Sequence, residues 1–323
     1  MLTNSLLIVA GLFLLIYGAD RFVSGAANIA RVCGISPLII GLTVVGIATS
    51  APEVLVGAVA AFDGKTTLAI GNAVGSNIAN VGLVVGATAL VTPLVAKSPT
   101  LRREYVLMCL ATAIALLLLI DGELSRMDGL ILVVCLALAL SWIIYLARLS
   151  PKNDPLASEM QRELEAEPPA PLLRSWLLLF AGLLLLLGGA ELLVRGAVAI
   201  AQALGVSDLV IGLTIVAVGT SLPELAASIA SVLKDEADLA IGNIIGSNMF
   251  NMLMVLGVPA LIHPASVSNE VLWRDFPVMI SLTLVMGAMI FLFSRGKFDR
   301  KEGAFLFSCF IAYQGWLFMS ISA

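Results

Sequence analysis

Long apolar stretches, separated by short polar segments, run through the chain from one end to the other. An α-helix needs about 20 mainly apolar residues to cross the hydrocarbon core of a bilayer. Ten stretches suit that length, at about residues 4–22, 37–61, 68–93, 104–121, 128–147, 174–194, 209–233, 240–262, 275–293 and 303–321. The pattern therefore predicts an all-α integral membrane protein with ten transmembrane helices, numbered below as spans 1 to 10.

Composition supports this class. Of the 323 residues, 60% are hydrophobic and 12% are charged, whereas about a quarter of a soluble domain is charged. No Lys or Arg precedes the first apolar run, Leu6–Ala19, and the same pattern recurs at Leu177–Ala190, so we expect a retained span and not a cleaved signal peptide. We expect a lipid bilayer as the surroundings, no nucleic-acid partner, no cofactor and no obligatory protein partner.

The chain contains an internal repeat with an offset of 171 residues. Residues 41–93 align with residues 212–264 without a gap, and 22 of these 53 positions are identical. We therefore predict an N-terminal repeat of five spans (1–149), a short cytoplasmic linker (150–173) and a C-terminal repeat of five spans (174–323). The repeated motifs, or α-repeats, occupy about 37–93 and 209–264. Because five is odd, the two halves should have opposite orientations, as in transporters with inverted repeats.

Basic residues set the expected orientation. The connections after the odd-numbered spans 1 to 9 contain 14 Lys and Arg residues, and those after spans 2, 4, 6 and 8 contain four. Cytoplasmic loops carry the excess of positive charge. We therefore predict a multi-pass protein of the inner (plasma) membrane with both termini on the external or periplasmic side.

A polar motif interrupts spans 2 and 7. The sequence Thr-Ser-x-Pro-Glu ends at Glu53 in the first copy and at Glu224 in the second. Pro52 and Pro223 each remove a backbone donor, which should leave the carbonyls of Ala48 and Gly219 without partners. An acid inside the membrane is costly and usually functional. Carboxylate, hydroxyl and carbonyl oxygens suit hard cations such as Ca²⁺ and Na⁺.

Spans 3 and 8 carry a second repeated motif, Gly-Asn-x-x-Gly-Ser-Asn-x-x-Asn, at 71–80 and 242–251. Its first Asn, its Ser and its last Asn recur every four residues and should line one helical face. Its glycine pairs, Gly71/Gly75 and Gly242/Gly246, are typical of closely packed membrane helices. Helix packing and a hydrogen-bonded kink are the alternative explanations, but the duplication of the whole set favours one ion site.

The other polar residues have simpler interpretations. We expect Cys33 in a loop, the remaining three cysteines as unpaired thiols in the membrane, and His263 as an interfacial side chain. Asp20 and Glu191, which match at the repeat offset, should end spans 1 and 6 as ion pairs with Arg21 and Arg195; a role at the ion entrance is the alternative. The acidic stretch within 150–173 is interpreted as a solvated linker, with a calcium sensor as the alternative.

Together the motifs resemble the α-repeats of the cation/calcium antiporter superfamily, in the compact form of prokaryotic sodium/calcium exchanger-like membrane proteins. The resemblance covers essentially the whole chain. It implies a fold in which spans 2, 3, 7 and 8 hold the ions and spans 1 and 6 lie across them as a sliding gate. It also implies these metal-binding residues: Glu53, Glu224, Thr49, Ser50, Thr220, Ser221, Ser76, Ser247, Asn80, Asn251, and backbone carbonyls near Gly46 and Ala217.

The expected function is antiport of Ca²⁺ against Na⁺ by alternating access, with no enzymatic activity. Both copies end in asparagine, whereas some relatives carry aspartate at the position of Asn251, so the site would hold two negative charges and coupling to K⁺ is disfavoured. Exchange of Ca²⁺ for H⁺ or for another cation stays open, because an empty buried glutamate tends to take up a proton. A cation channel is the alternative from another class. Channels often place their pore on a symmetry axis between subunits, whereas this chain contains its own twofold repeat.

Overall fold

The computed structural model describes residues 2–95, 101–149, 170–204, 217–293 and 297–322. Helices dominate this part of the chain. The N-terminal half contains α1 Leu2–Cys33, α2 Pro37–Ile40, a π-helical turn Gly41–Val45, α3 Gly46–Thr49, α4 Ala51–Phe62, α5 Thr66–Ala79, a π-helical turn Asn80–Val85, α6 Gly86–Val91, α7 Leu101–Leu119 and α8 Arg126–Leu149.

The described part of the C-terminal half has a similar order of helices. It contains α9 Leu172–Ala203, α10 Ala217–Thr220, α11 Leu222–Val232, α12 Ala237–Phe250, a π-helical turn Asn251–Val255, α13 Gly257–Ile262, a π-helical turn Val271–Asp275, α14 Phe276–Ala288, a π-helical turn Met289–Phe293 and α15 Arg300–Ser322. Two short antiparallel strand pairs join the halves. Leu94–Val95 (β1) pairs with Lys297–Phe298 (β4), and Glu123–Leu124 (β2) pairs with Ala265–Ser266 (β3).

Within the described residues, six helical segments are long and apolar enough to cross a membrane. They are Leu2–Cys33, Thr66–Val91, Arg126–Leu146, Leu172–Ala203, Ala237–Ile262 and Val271–Phe291. A seventh is present if Gly41–Thr49 and Ala51–Phe62 form one span, since these two pieces meet at an angle of 46°. The total of ten crossings and the inverted orientation of the halves stay predictions.

The two longest helices, α1 and α9, pack antiparallel through a row of glycines. Gly11, Gly18 and Gly25 recur every seven residues, which returns to the same helical face after two turns. A Cβ atom added at Gly18 would lie 2.5 Å from the backbone nitrogen of Leu186, and one at Gly25 would lie 2.6 Å from that of Leu179. The backbones therefore touch directly, as glycine-rich interfaces in membranes allow.

Both long helices extend beyond the predicted span ends, 22 and 194, to Cys33 and Ala203. Cys33 is consequently the exposed last residue of α1. The expectation that it lies in a loop was wrong. Asp20 and Glu191 lie within their helices and do not end them. Glu191 accepts the expected bond from Arg195 at 2.5 Å.

The C-terminal half of α1 is tied to the loop before α12 by two ion pairs. The Lys234 ammonium lies 2.6 Å from the Asp20 carboxylate, closer than the expected partner Arg21 at 3.8 Å. Arg31 donates to the Glu236 carboxylate at 2.9 Å. The sequence predicts Arg21 as the ion-pair partner of Asp20, but the packing of α1 brings Lys234 of the other repeat closer.

The helices break two residues before each proline. Ser50 leaves the helical region at φ −84° and ψ 3°, and Ser221 does the same at φ −88° and ψ 1°. Pro52 and Pro223 then lie in the first turn of α4 and α11, where a helix makes no use of the missing N–H. Each break therefore separates two helices, and neither proline interrupts the interior of one.

The second glycine motif packs as the sequence predicted. α12 is buried at every residue from 238 to 250. A Cβ atom at Gly246 would collide with the carbonyl of Leu42, and one at Gly41 would lie 3.1 Å from the Cα of Gly242. No described atom lies within 4 Å of a Cβ built at Gly71 or Gly75. The segment that repeats Gly41–Val45, residues 212–216, lies outside the described residues, so packing of the first glycine motif stays a prediction.

Candidate cation site

The two glutamates occupy equivalent, almost fully buried positions. Each lies in the first turn of the helix that follows a break, Glu53 on α4 and Glu224 on α11. Each is only 1% exposed, and the two carboxylates are close enough to interact electrostatically. The N-terminal end of a helix carries a partial positive charge that stabilises an acid there. The breaks thus provide favourable positions for two acids inside an apolar core.

Hydroxyl groups of the first repeat meet the acid of the second. The Ser50 hydroxyl donates to Oε1 of Glu224 at 3.2 Å, and the Ser247 hydroxyl reaches the same oxygen at 3.4 Å. The Thr49 hydroxyl donates to Oδ1 of Asn243 at 3.0 Å and lies 3.3 Å from the hydroxyl oxygen of Ser247. The broken helix of one repeat and the polar helix of the other therefore form a single cluster.

The first asparagine of each polar stripe contacts its own glutamate. Nδ2 of Asn72 donates to the backbone carbonyl of Glu53 at 3.5 Å, and Nδ2 of Asn243 donates to that of Glu224 at the same distance. Both pairs are 19 residues apart in sequence. This equivalence places the stripes of α5 and α12 beside the acids, as the spacing predicted. Neither asparagine was among the metal-binding residues that the resemblance implied.

Four asparagines form crossed pairs where the two stripes meet. Nδ2 of Asn80 donates to Oδ1 of Asn248 at 3.1 Å, and Nδ2 of Asn251 donates to Oδ1 of Asn77 at 3.0 Å. The repeat offset exchanges one pair for the other. Asn77 and Asn248 belong to the repeated motif but were not expected in the site. The sequence could have indicated them, because they lie three residues before Asn80 and Asn251 and therefore on the same side of the helix.

Several buried oxygen atoms in this cluster have no hydrogen-bond partner among the described residues. They are Oε2 of Glu53, Oε2 of Glu224, Oδ1 of Asn80, Oδ1 of Asn251 and the hydroxyl oxygen of Ser221. Burying a polar group without a partner costs about 1–3 kcal/mol, and more for a charged one. Carboxylate and amide oxygens can only accept hydrogen bonds or bind cations. The donor set therefore fits a hard cation such as Ca²⁺ or Na⁺.

The remaining expected ligands lie close in sequence to residues of this cluster. Ser76 is buried on α5 one turn before Asn80, and Thr220 is half-buried at the end of α10, which begins at Ala217. The Gly46 carbonyl already accepts a bond from the Ser50 backbone N–H at 3.1 Å, and the Thr49 hydroxyl oxygen lies 3.4 Å from it. In the described residues, no group of three or more His, Cys, Asp or Glu side chains is placed to hold a metal. The cluster therefore combines two acids with neutral oxygens.

One protein family matches both halves of the chain. The model of the sodium/calcium exchanger protein family matches residues 3–145 and 174–319, which is most of each half. The two matched segments leave out the stretch that the sequence assigned to the linker.

Individual relatives match over nearly the full length. The chain is 48% identical to CaxA, named as a candidate antiporter, from Alkalimonas amylolytica, over 99% of this chain and 100% of that protein. It is 41% identical to the inner membrane protein YrbG of Escherichia coli, over 98% of each chain. It is 32% identical to the sodium/calcium exchanger MaX1 of Methanosarcina acetivorans, again over 98% of each.

The fold agrees with a solved exchanger structure. The sodium-calcium exchanger NCX_Mj, soaked with 2.5 mM Na⁺ and 0.1 mM Ca²⁺, superposes with a TM-score of 0.82 at 34% sequence identity, covering 97% of each chain. Together with the family match and the apolar helices, this similarity establishes that the chain is a multi-pass membrane protein of the sodium/calcium exchanger family.

Proposed function

We propose that the protein is a secondary antiporter that exchanges Ca²⁺ for Na⁺, with the ions bound near the membrane midplane around Glu53 and Glu224. The observation that carries this proposal is the set of buried acceptor oxygens without partners. Each repeat contributes one glutamate carboxylate oxygen to this set, from Glu53 or Glu224. Each also contributes one amide oxygen, from Asn80 or Asn251. Membership of the exchanger family and the likeness to NCX_Mj support the same activity.

The charge of the cluster supports Ca²⁺ and Na⁺ as the exchanged ions. Two ionised glutamates neutralise one Ca²⁺ or two Na⁺, and a third Na⁺ would leave the occupied site positive. Because Asn251 is neutral, the cluster lacks the third acid that an additional K⁺ would favour. Neutral ligands and few charges also weaken binding of divalent ions, which suits an ion that must be released on each cycle.

Alternating access would follow from the architecture in three parts. Ten spans in two inverted repeats would give two nearly equivalent end states, one open to each side. The α1–α9 pair would slide across the ion-binding helices. An unloaded cluster would hold two desolvated carboxylates, so crossing without an ion is costly and exchange is favoured over leak. If each cycle moves unequal charge, the membrane potential contributes about 2.3 kcal/mol per charge per 100 mV.

We place the protein in the inner (plasma) membrane, with both termini external. The distribution of Lys and Arg supports the orientation, and the similarity to an inner membrane protein of Escherichia coli supports the location.

Uptake of ⁴⁵Ca²⁺ into proteoliposomes tests the function. We expect uptake driven by an outward sodium gradient, and its loss in Glu53→Gln and in Glu224→Gln. Glu191→Gln is the matched control, because Glu191 is a helical acid of the same repeat as Glu224 whose side chain is 59% exposed. Uptake that survived both substitutions of the buried acids would contradict the site assignment.

The same vesicles separate the alternatives. Uptake driven by a pH jump without sodium would instead support exchange of Ca²⁺ for H⁺. Flux that neither saturates nor requires a counter-ion would support a cation channel. Equal loss of uptake in Glu191→Gln would point to a general effect of removing a charge or to a role of Glu191 at the ion entrance, and would contradict a special role for the two buried acids.

A further inference from the structure

Two buried asparagines, Asn77 and Asn248, form hydrogen bonds with the candidate ligands Asn251 and Asn80. Asn77 and Asn248 lie on α5 and α12, where these helices face each other, and they are 2% and 1% exposed. We propose that Asn77 and Asn248 are positioning residues, each of which aims the amide oxygen of the other repeat's ligand asparagine at the bound cation. This inference rests on the proposed function, because it assigns a role in the same ion site.

The direction of the Asn77 amide is set by the backbone. An asparagine amide can rotate by a half-turn, which exchanges its oxygen and nitrogen, so its hydrogen bonds decide which atom faces where. Nδ2 of Asn77 donates at 3.2 Å to the backbone carbonyl of Asn248, which can only accept. A half-turn would place two acceptors against each other. Oδ1 of Asn77 must therefore face the opposite way, toward Asn251.

The Asn251 amide then has one compatible direction. Because Oδ1 of Asn77 can only accept, Asn251 must present its Nδ2, which lies at 3.0 Å. Oδ1 of Asn251 is thereby directed away from Asn77, and it is one of the buried oxygens without a partner. The sequence of bonds runs from the Asn248 backbone through Asn77 to Asn251, and it ends on an oxygen that is free for a cation.

The repeat-related contact directs Asn80, but here no backbone carbonyl fixes the Asn248 amide, because its Nδ2 is buried and has no partner among the described residues. Nδ2 of Asn80 donates to Oδ1 of Asn248 at 3.1 Å, which leaves Oδ1 of Asn80 buried and without a partner. Each ligand asparagine is thus directed by the repeat to which it does not belong. In metal sites, losing a residue that orients a ligand typically costs 10- to 100-fold in affinity. We expect a loss in that range when either positioning residue is replaced.

A double-mutant cycle distinguishes positioning from general packing. If Asn77 acts through Asn251, then Asn77→Ala should weaken Ca²⁺ binding about 10- to 100-fold in the native chain and add little once Asn251→Ala is present. Asn77→Ala combined with Asn80→Ala provides the comparison, because the side chains of Asn77 and Asn80 belong to different crossed pairs and meet only through Asn248, so their coupling should be smaller. A residue needed only for packing would couple to Asn251 in the ion-free melting temperature and not in its rise with Ca²⁺.

Ca²⁺ binding is measured on the full-length purified protein in detergent, as the rise in its melting temperature with increasing Ca²⁺. Uptake of ⁴⁵Ca²⁺ into proteoliposomes gives KM and maximal rate for the same variants. The proposal expects a raised KM and non-additivity that is largest in the Asn77–Asn251 and Asn248–Asn80 pairs. If Asn77→Ala does not fold, the mirrored cycle of Asn248→Ala and Asn80→Ala makes the same test.

Two other results would overturn the proposal in distinguishable ways. Native-like Ca²⁺ stabilisation in both Asn77→Ala and Asn248→Ala would reject positioning while leaving the proposed antiport intact. A native protein that Ca²⁺ does not stabilise, and that takes up none, would reject the ion site and the positioning role together.

Discussion

The hydroxyl of Ser50 donates a hydrogen bond at 3.2 Å to the carboxylate of Glu224, across 174 residues of sequence. This contact joins the broken helix of one repeat to the acid of the other. The equivalent hydroxyl of the second repeat, Ser221, is fully buried but has no partner among the described residues. The duplicated motif therefore has unequal hydrogen bonding in its two copies.

This inequality predicts different effects of two matched substitutions. Ser50→Ala removes a hydrogen bond to the Glu224 carboxyl group, worth about 0.5–3 kcal/mol depending on its protonation, so it should lower the melting temperature of the ion-free protein. Ser221→Ala removes no such bond and should leave that temperature nearly unchanged. Both should weaken stabilisation by Ca²⁺, because each deletes a candidate ligand oxygen. Equal ion-free destabilisation by the two substitutions would contradict the structural difference.

Adjacent glycines in α9 should respond in opposite directions to alanine. A Cβ atom at Gly189 would lie 2.5 Å from the backbone nitrogen of Leu15, whereas one at Gly188 meets no described atom within 4 Å. Gly189→Ala should therefore force the helices apart and destabilise the protein by about 1–3 kcal/mol. Gly188→Ala should be neutral or stabilising by up to about 1 kcal/mol, because glycine is a poor helix former. Thermal unfolding in detergent measures both changes.

An added acid at the last asparagine of the site should change which half of the cycle senses voltage. In the native chain, the proposed Ca²⁺-bound cluster is neutral, so Ca²⁺/Ca²⁺ exchange should not depend on the membrane potential. In Asn251→Asp, the same state carries one negative charge, so the exchange should become voltage-dependent, by up to about 2.3 kcal/mol per 100 mV. ⁴⁵Ca²⁺ homoexchange under imposed potentials tests this prediction.

The equivalent substitution Asn80→Asp is the control for that experiment, since it adds the same charge from the other repeat and should act alike. Voltage-dependent homoexchange in the native chain would contradict the proposed charge of the occupied site.

A native cysteine reports the orientation of the first helix. Cys33 is exposed at the end of α1, in the region that the positive-inside rule places in the cytoplasm, and the other three cysteines are only partly accessible. A membrane-impermeant maleimide should therefore label inside-out vesicles but not intact spheroplasts. Cys33→Ser should abolish this labelling. Labelling of intact spheroplasts at Cys33 would reverse the predicted topology.

The sequence predicted the helical stretches and the paired acids because both have local signatures. Apolar runs mark helices in a membrane, and an acid such as Glu53 within one stands out. The exact position of the helix breaks was harder to predict from the sequence. A proline suggests a kink in a continuous helix, but ending the helix at Ser50 and starting a new one is compatible with Pro52 at no loss of hydrogen bonding.

Features that depend on two distant segments were missed for a different reason. The spacing of Gly11, Gly18 and Gly25 is visible in the sequence, but its meaning depends on the antiparallel contact with α9. Likewise, Asp20 has an adjacent arginine, and only the fold shows that Lys234 lies closer. The roles of Asn77 and Asn248 could not be separated from general polarity until the helix crossing defined which atoms face each other.

The crossed asparagine pairs make the two repeats depend on each other. Each repeat supplies one ligand amide and the group that orients the other repeat's ligand, so a single repeat contains two halves of different contacts and no complete one. A protein made of one repeat alone would need a second copy of itself to complete either contact, whereas two repeats in one chain supply both.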